Sequence, residues 1–110
     1  MIENSSDLIT VIDVNGRILY DSPSVERILG YRQGELVGQS MFKYVHPDDS
    51  VKVMGIIAKE AHELEKAFLI ECRFRHHDGS WRLIESIGRG HRNRSGDIVG
   101  IINSRDITDR

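Results

Sequence analysis

Few residues of this sequence have the type and spacing that catalysis needs. A nucleophile requires a neighbouring base and an orienting group, and no serine, threonine or cysteine lies in a recognisable elbow or dyad. Asp48 and Asp49 are adjacent carboxylates, but they follow Pro47 at a predicted helix start, where the helix dipole favours negative charge. We therefore expect no enzymatic activity from the chain itself.

Metal and cofactor chemistry also lacks its usual ligands. Cys72 is the only cysteine, so the chain forms no internal disulfide and no thiolate cluster. Its place in an alternating strand pattern indicates a small core residue. His76 and His77 are adjacent in that pattern, so their side chains would point to opposite faces and could not share one metal ion. We predict no metal site and no bound cofactor.

Phosphate recognition is the third chemistry that the sequence could suggest. Gly88-Arg89-Gly90 could begin a dinucleotide-binding fingerprint, but Asn93 replaces the third glycine and no strand-to-helix transition follows. Fifteen Lys and Arg oppose seventeen Asp and Glu, and both signs are scattered along the chain. Nucleic-acid binding needs a basic stripe, so we expect no such partner. The one dense basic patch lies in a Gly-rich stretch that predicts a solvated loop: Arg89, His91, Arg92 and Arg94.

Size and composition favour a single domain over residues 1–110. A chain of this length has material for one core and a modest cavity. Its hydrophobic fraction of 39% and charged fraction of 29% are ordinary for a folded domain. No apolar run approaches the roughly 18 residues that span a bilayer, so we expect no direct membrane contact. The single cysteine suits a reducing compartment, and we expect a cytoplasmic location.

The first third of the chain predicts a hairpin and then a helix. Residues 8–13 are rich in β-branched side chains and run into Asn15-Gly16, a strong hairpin signal, so residues 18–20 should return as the second strand. Ser22 then suits a helix N-cap, with Pro23 at the first helical position.

The remaining two thirds predict one long helix and three strands. His46-Pro47-Asp48-Asp49 opens the helix, and residues 68–74 switch to a period of two, which indicates a half-buried strand. Asp78-Gly79 turns the chain back into a strand over residues 81–87, and a Gly-rich loop leads to a last strand over residues 98–107. Apolar residues at helical spacing give the helix one buried face: Val53, Met54, Ile57, Ala61 and Leu64.

These elements predict an α+β fold, with a five-stranded antiparallel sheet and several helices packed on one face. Both faces of that sheet are apolar: if Thr10 and Ile12 point inward, then Ile9 and Val11 point outward. Contiguous exposed apolar surface usually marks a partner site. We expect another subunit or a flanking helix to pack on this outer face, and predict four interface residues: Ile9, Val11, Leu83 and Ile101.

Five segments carry a resemblance that covers nearly the whole chain: Asp7-Leu8-Ile9 through Ile18, Ser22-Pro23 through Gly30-Tyr31, His46-Pro47-Asp48-Asp49, Arg75 through Trp81-Arg82, and Gly96-Asp97-Ile98-Val99-Gly100 with Arg105-Asp106-Ile107-Thr108-Asp109-Arg110. In this order they resemble the PAS (sensory box) domain family. The resemblance implies the strand order 2-1-5-4-3, a helical flank that can enclose a ligand, and dimerisation through the outer sheet face.

The resemblance also assigns a signal exit. Asp106, Ile107 and Thr108 correspond to the point where the last strand of the family hands over to an effector or a coiled-coil linker. The chain stops two residues later, which suggests a fragment of a larger signalling protein with a covalently linked effector domain. We expect that parent to be a histidine kinase or a cyclic-di-nucleotide enzyme.

Two cofactor-binding branches of the family differ from this chain. Flavin-binding relatives with adduct chemistry carry an Asn-Cys-Arg-Phe-type motif before the long helix, where this chain has Ser40-Met41-Phe42-Lys43-Tyr44, so we expect no such photochemistry. Some relatives bind haem through a histidine of the long helix, which makes His62 the alternative ligand here. His62 lies about 100° around the helix from Ala61, which places it at the solvent edge.

Two functions from different classes follow. We favour a ligand-free relay that dimerises through the outer face and transmits rotation or strain through the exit. The alternative is a receptor whose apolar cavity holds a small-molecule ligand or haem. Eight residues are predicted to line that cavity: Met54, Ile57, Cys72, Phe74, Ile84, Ser86, Ile102 and Ser104.

Overall fold

A computed structural model of the chain describes residues 7–60 and 62–109. Within them, the strands are β1 (Leu8–Asp13), β2 (Ile18–Asp21), β3 (Ala67–Arg75), β4 (Trp81–Arg92) and β5 (Ile98–Asp106). They form one antiparallel sheet in the order β2-β1-β5-β4-β3. The predicted α+β fold and the strand order 2-1-5-4-3 are confirmed.

The helices are fewer than predicted. The described residues contain two α-helices, α1 (Val25–Ile28) and α2 (Pro47–Glu60), and one 3-10 helix at Met41–Lys43. The expectation of several helices was an overstatement, because most of the segment between α1 and α2 forms turns. Neither α-helix has the length and hydropathy needed to cross a membrane. Side chains of both helices join those of the inner sheet face in one hydrophobic core.

Helix α1 begins later than the N-cap prediction places it. The Ser22 hydroxyl accepts the Ile9 amide at 2.9 Å and lies 2.9 Å from Ser24 Oγ, so it does not cap a helix. Ser22 instead ties β1 to the segment after β2. The helix starts at Val25, whose side chain is fully buried.

Helix α2 contacts the core through a narrower stripe than its apolar spacing predicts. Val53 and Ile57 are buried, whereas Met54 is 46% exposed because it lies about 100° around the helix from Val53. The helix ends at Glu60, so Leu64 lies beyond it and is partly exposed. The predicted buried position of Ala61 lies outside the described residues.

Strand β4 continues to Arg92, through the stretch that the sequence predicts to be a loop. Gly88 pairs with Phe68 of β3, and a Cβ atom at this glycine would lie 2.6 Å from the Phe68 ring. Glycine is therefore needed in the strand because the ring packs directly over its backbone. Of the predicted basic loop, only Arg94 lies in the turn between β4 and β5; the other three residues are exposed strand positions.

Candidate functional site

The inner face of the sheet encloses an apolar cavity of about 60 Å³. Six of the eight predicted lining residues surround it: Cys72, Phe74, Ile84, Ser86, Ile102 and Ser104. Met54 and Ile57 do not line it, and their prediction was wrong. Met54 is exposed, and Ile57 belongs to the part of the core beneath α2.

The roof of the cavity comes from α1 and from the turns that follow it, and not from α2. Four apolar side chains form this roof: Val25, Leu29, Leu36 and Met41. None of the four was among the predicted lining residues; Leu36 lies in residues 30–40, which carry no helical period and therefore no sign of which side chains face inward. Strands β1 and β2 contribute five further residues to the wall: Leu8, Thr10, Ile12, Ile18 and Asp21. Ile70 of β3 completes it.

The cavity wall has few polar groups, and hydrogen bonds orient three of them, on Ser86, Ser104 and Asp21. Ser86 Oγ and Ser104 Oγ lie 2.7 Å apart, and both side chains are buried. Asp21 is also buried, and its Oδ1 accepts the Gly34 amide at 2.8 Å. Sequence reasoning identified the two serines, but it missed Asp21, which directly follows the predicted strand over residues 18–20.

Cys72 is a buried wall residue whose thiol stays protonated at neutral pH. Burial, with a smaller contribution from the negative charge of Asp49, raises the pKa of the thiol to about 11. Nucleophilic chemistry needs the thiolate, so this environment supports a packing role for the residue.

His62 lies after the end of α2 and is exposed. It borders a surface groove with Asp13, Val14 and Leu19, and it is not among the residues that line the inner cavity. The described residues hold no group of three or more His, Cys, Asp or Glu side chains with the spacing of a metal site. The geometry gives His62 no access to a ligand in the inner cavity.

A bidentate ion pair fastens the first turn of α2 to strand β3. Arg73 Nη2 lies 2.9 Å from Asp49 Oδ1, and the Arg73 backbone amide donates to Asp49 Oδ2 at 2.8 Å. The Arg73 side chain donates hydrogen bonds to Asp49 and lowers the pKa of that carboxyl from 3.8 to about 2. The sequence predicts for Asp49 only a favourable interaction with the helix dipole. In the structure its carboxylate also holds α2 against the edge strand β3.

The outer face of the sheet carries two adjacent rows of apolar side chains. Val11 and Ile101 are cross-strand partners in one row, and Ile9, Ile87 and Leu69 lie in the next row, with Asn103 between the first two. Leu69 is 70% exposed, Ile87 49% and Ile101 40%. We call these five residues the outer patch: Ile9, Val11, Leu69, Ile87 and Ile101.

Three of the four predicted interface residues belong to the outer patch, but Leu83 does not. Leu83 lies on the same face, but the cross-strand pair Glu85 and Arg105 lies between it and the patch. The alternation that identified Ile9 and Val11 also marks Ile87 and Leu69, which the four-residue prediction left out.

The end of β5 is held to β4 by a set of hydrogen bonds that we call the exit clasp, formed by Asp106, Ile107 and Thr108 with Leu83. The Thr108 amide donates to Asp106 Oδ1 at 2.8 Å, and the Thr108 hydroxyl donates to the same oxygen. The Leu83 amide donates to Thr108 Oγ1 at 2.9 Å, and the Ile107 amide donates to the Leu83 carbonyl at 2.8 Å. Arg82 adds an ion pair at 3.5 Å from Asp106 Oδ2.

The cavity wall and the exit clasp share two strands. Ile84 lines the cavity and pairs with Asp106, while Ser104 lines it two residues before the clasp begins. The residues of the cavity wall and those of the exit clasp are therefore direct neighbours along and across these two strands.

An antiparallel sheet of this order, roofed by helices over a small cavity and clasped at its last strand, defines a class of small sensory domains. The model of the PAS fold family matches residues 1–104. The chain belongs to this family, as its sequence motifs predict.

Three comparisons show the range of its relatives. White collar 2 protein from Neurospora crassa is 35% identical over 91 residues, which are 83% of this chain and 17% of that protein. The chain thus spans less than a fifth of this relative. The PAS domain of an HTR-like protein from Haloarcula marismortui matches with a TM-score of 0.81 and 26% identity, covering 96% of this chain and 84% of that one. A sensory box histidine kinase/response regulator from Burkholderia thailandensis matches with a TM-score of 0.74 and 27% identity, covering 99% and 82%.

Proposed function

We propose that this domain is a non-catalytic relay that forms a homodimer through the outer patch. In this proposal a change of state passes through the exit clasp to a covalently linked effector domain of a larger cytoplasmic protein. The observation that carries the proposal is the outer patch itself: five apolar side chains in adjacent rows, on the side of the sheet away from both helices.

A second copy of the chain suits this surface. An isologous dimer places the same patch against itself, so an apolar centre meets an apolar centre. The patch is bordered by charges of both signs, Glu85, Arg89 and Arg105, which two-fold symmetry can bring into opposite pairs. We also propose that a helix flanking the domain packs on this face and takes part in the dimer.

Sedimentation velocity on the purified domain tests the dimer. We expect Ile101→Lys to be monomeric at concentrations where the wild-type chain is dimeric, because the lysine charge would be buried without a partner. Val51→Lys is the matched control, since Val51 is 80% exposed on α2, away from the sheet. A wild-type chain that sediments as a monomer at all concentrations would refute the proposal, and so would an unchanged mass of Ile101→Lys.

The proposed output is a histidine kinase or a cyclic-di-nucleotide enzyme. The likeness to the Burkholderia thailandensis histidine kinase supports the first of these. In the parent protein we expect Asp106→Ala to uncouple output from input, because the clasp loses the carboxylate that holds Thr108. Asp97→Ala in the loop between β4 and β5 removes an exposed carboxylate as a control. Unaltered signalling in Asp106→Ala would contradict the exit role.

The cavity favours a second candidate function, a small-molecule receptor. A cavity of about 60 Å³ is less than half the size of the roughly 150 Å³ engineered cavity that binds benzene. A receptor built on it would take a molecule of a few heavy atoms, which leaves haem far outside its size.

A further inference from the structure

Asp21 lines the cavity and carries a buried carboxylate oxygen that has no hydrogen-bond donor among the described residues. The residue is only 2% exposed and lines the cavity. Its Oδ1 accepts the Gly34 amide at 2.8 Å. Its Oδ2 is buried and has no hydrogen-bond partner among the described residues. Buried polar atoms are nearly always paired, because an unpaired one loses its hydration without compensation.

The charge of the wall determines which groups can pair with this oxygen. Asp21 is the only charged residue among the described residues that line the cavity. The other side chains with polar oxygen atoms are hydroxyls, on Thr10, Ser86 and Ser104. A carboxylate oxygen accepts hydrogen bonds, so it suits a hydroxyl or an ammonium group. A carboxylate or phosphate ligand would find no Lys, Arg or His among the described residues that line the cavity.

The size of the cavity limits the ligand to one anchoring point. Asp21 lies on β2 and the serine pair lies on β5 and β4, with β1 between. Strands lie about 4.8 Å apart, so β2 and β5 are separated by roughly 10 Å. A molecule of about four heavy atoms cannot reach both groups.

We propose that the cavity binds a small molecule with one hydrogen-bond donor on a short apolar body, such as a short-chain alcohol or amine. Asp21 Oδ2 accepts the donor, and the surrounding Leu, Ile and Val side chains enclose the apolar body. This inference rests on the receptor function given above as the second candidate, and it is independent of the dimer.

Three probes of the same heavy-atom shape test it: isopropanol, isopropylammonium and acetone. The first two carry a donor, whereas acetone carries only an acceptor. Binding is followed by the NMR shifts of the methyl groups of Leu8, Ile12 and Ile102 as each probe is titrated. For molecules this small we expect dissociation constants in the millimolar range. Both donor probes should bind about tenfold or more tightly than acetone, because only they can pair with the carboxylate.

The variant Asp21→Asn should abolish the preference for isopropanol over acetone and reverse the preference for isopropylammonium over acetone. Its amide oxygen can still accept the Gly34 amide, and its NH₂ group then replaces Oδ2 with a donor. Acetone and isopropanol can both accept a hydrogen bond from this NH₂ group and should bind the variant about equally, whereas isopropylammonium has no acceptor and should bind it more weakly than acetone does. Asp97→Asn, an exposed loop change of the same charge, should keep the wild-type preference.

The outcomes separate this inference from the receptor function. Equal binding of isopropanol and acetone to the wild-type domain would overturn the role of Asp21 and leave the receptor function standing, and so would a continued preference of Asp21→Asn for isopropylammonium over acetone. Absence of methyl shifts with all three probes would overturn both. If Asp21→Asn does not fold, the wild-type comparison of isopropanol with acetone decides alone.

Discussion

Replacing Thr108 with valine should open the exit clasp while leaving the rest of the sheet intact. Valine keeps the branched shape of threonine and removes the hydroxyl. Two hydrogen bonds are lost: the one from the Thr108 hydroxyl to Asp106 and the one that this hydroxyl accepts from the Leu83 amide. The bond from the Ile107 amide to the Leu83 carbonyl remains.

The size of the effect follows from these contacts. A net contribution of about 0.5–1.5 kcal/mol for each hydrogen bond, at a partly exposed site, gives a loss of about 1–2 kcal/mol. That loss corresponds to a roughly 5- to 30-fold rise in the population of the open clasp. Local opening of this kind controls amide hydrogen exchange without global unfolding.

Native-state hydrogen exchange, measured residue by residue by NMR, checks this expectation. The Leu83 amide should exchange at least about 5-fold faster in Thr108→Val, whereas amides in the middle of β4 and β5 should keep their wild-type rates. Thr108→Ser retains the hydroxyl and should resemble the wild type. Unchanged exchange at Leu83, or a serine variant as fast as the valine variant, would show that the clasp does not hold the strand end.

Two further predictions concern stability. Asp49→Asn should lower the free energy of unfolding at neutral pH. Because Arg73 lowers the folded-state pKa of Asp49 from 3.8 to about 2, the stabilisation is fully present above pH 3.8 and is lost as pH falls toward 2. The gap to the wild type in urea unfolding should therefore close over that range, and a constant gap would contradict the ion pair. Gly88→Ala should cost about 1–3 kcal/mol in the same assay, because its Cβ would lie 2.6 Å from the Phe68 ring. Gly55→Ala, in open space on helix α2, should instead stabilise by about 0.5–1 kcal/mol; equal effects of the two alanines would refute the packing argument.

The strands and hairpins could be predicted because their signals are local. Asn15-Gly16 and Asp78-Gly79 lie in turns where Gly16 and Gly79 have positive φ, and a period of two marks the strand before the second turn. The pairing of β1 with β5 joins distant segments and has no local signal. Its prediction depended on the family resemblance.

The far end of β4 could not be predicted from its own residues. Gly88 and Gly90 favour a loop when they are considered alone, because glycine is a weak strand former. The structure keeps Gly88 in the strand because Phe68, twenty residues earlier, packs over its backbone. The decisive contact is tertiary.

The cavity shows the same division between local and distant causes. The inward rows of β3, β4 and β5 follow from alternation, so Cys72, Ile84 and Ser86 were found. Asp21 was missed because a carboxylate after a short strand is typical of a solvated turn. It is buried only because the segment after α1 folds back and brings the Gly34 amide to it.

The order of the strands places the cavity and helix α2 at different distances from the end of β5. Helix α2 is fastened to the edge strand β3, and β4 lies between β3 and β5. A displacement of the helix would therefore reach β5 only through β4. A molecule in the cavity touches Ile102 and Ser104 and so bears on β5 directly. In the proposed receptor, a ligand would therefore act directly on β5, whereas a displacement of α2 would be transmitted across two ladders of interstrand hydrogen bonds.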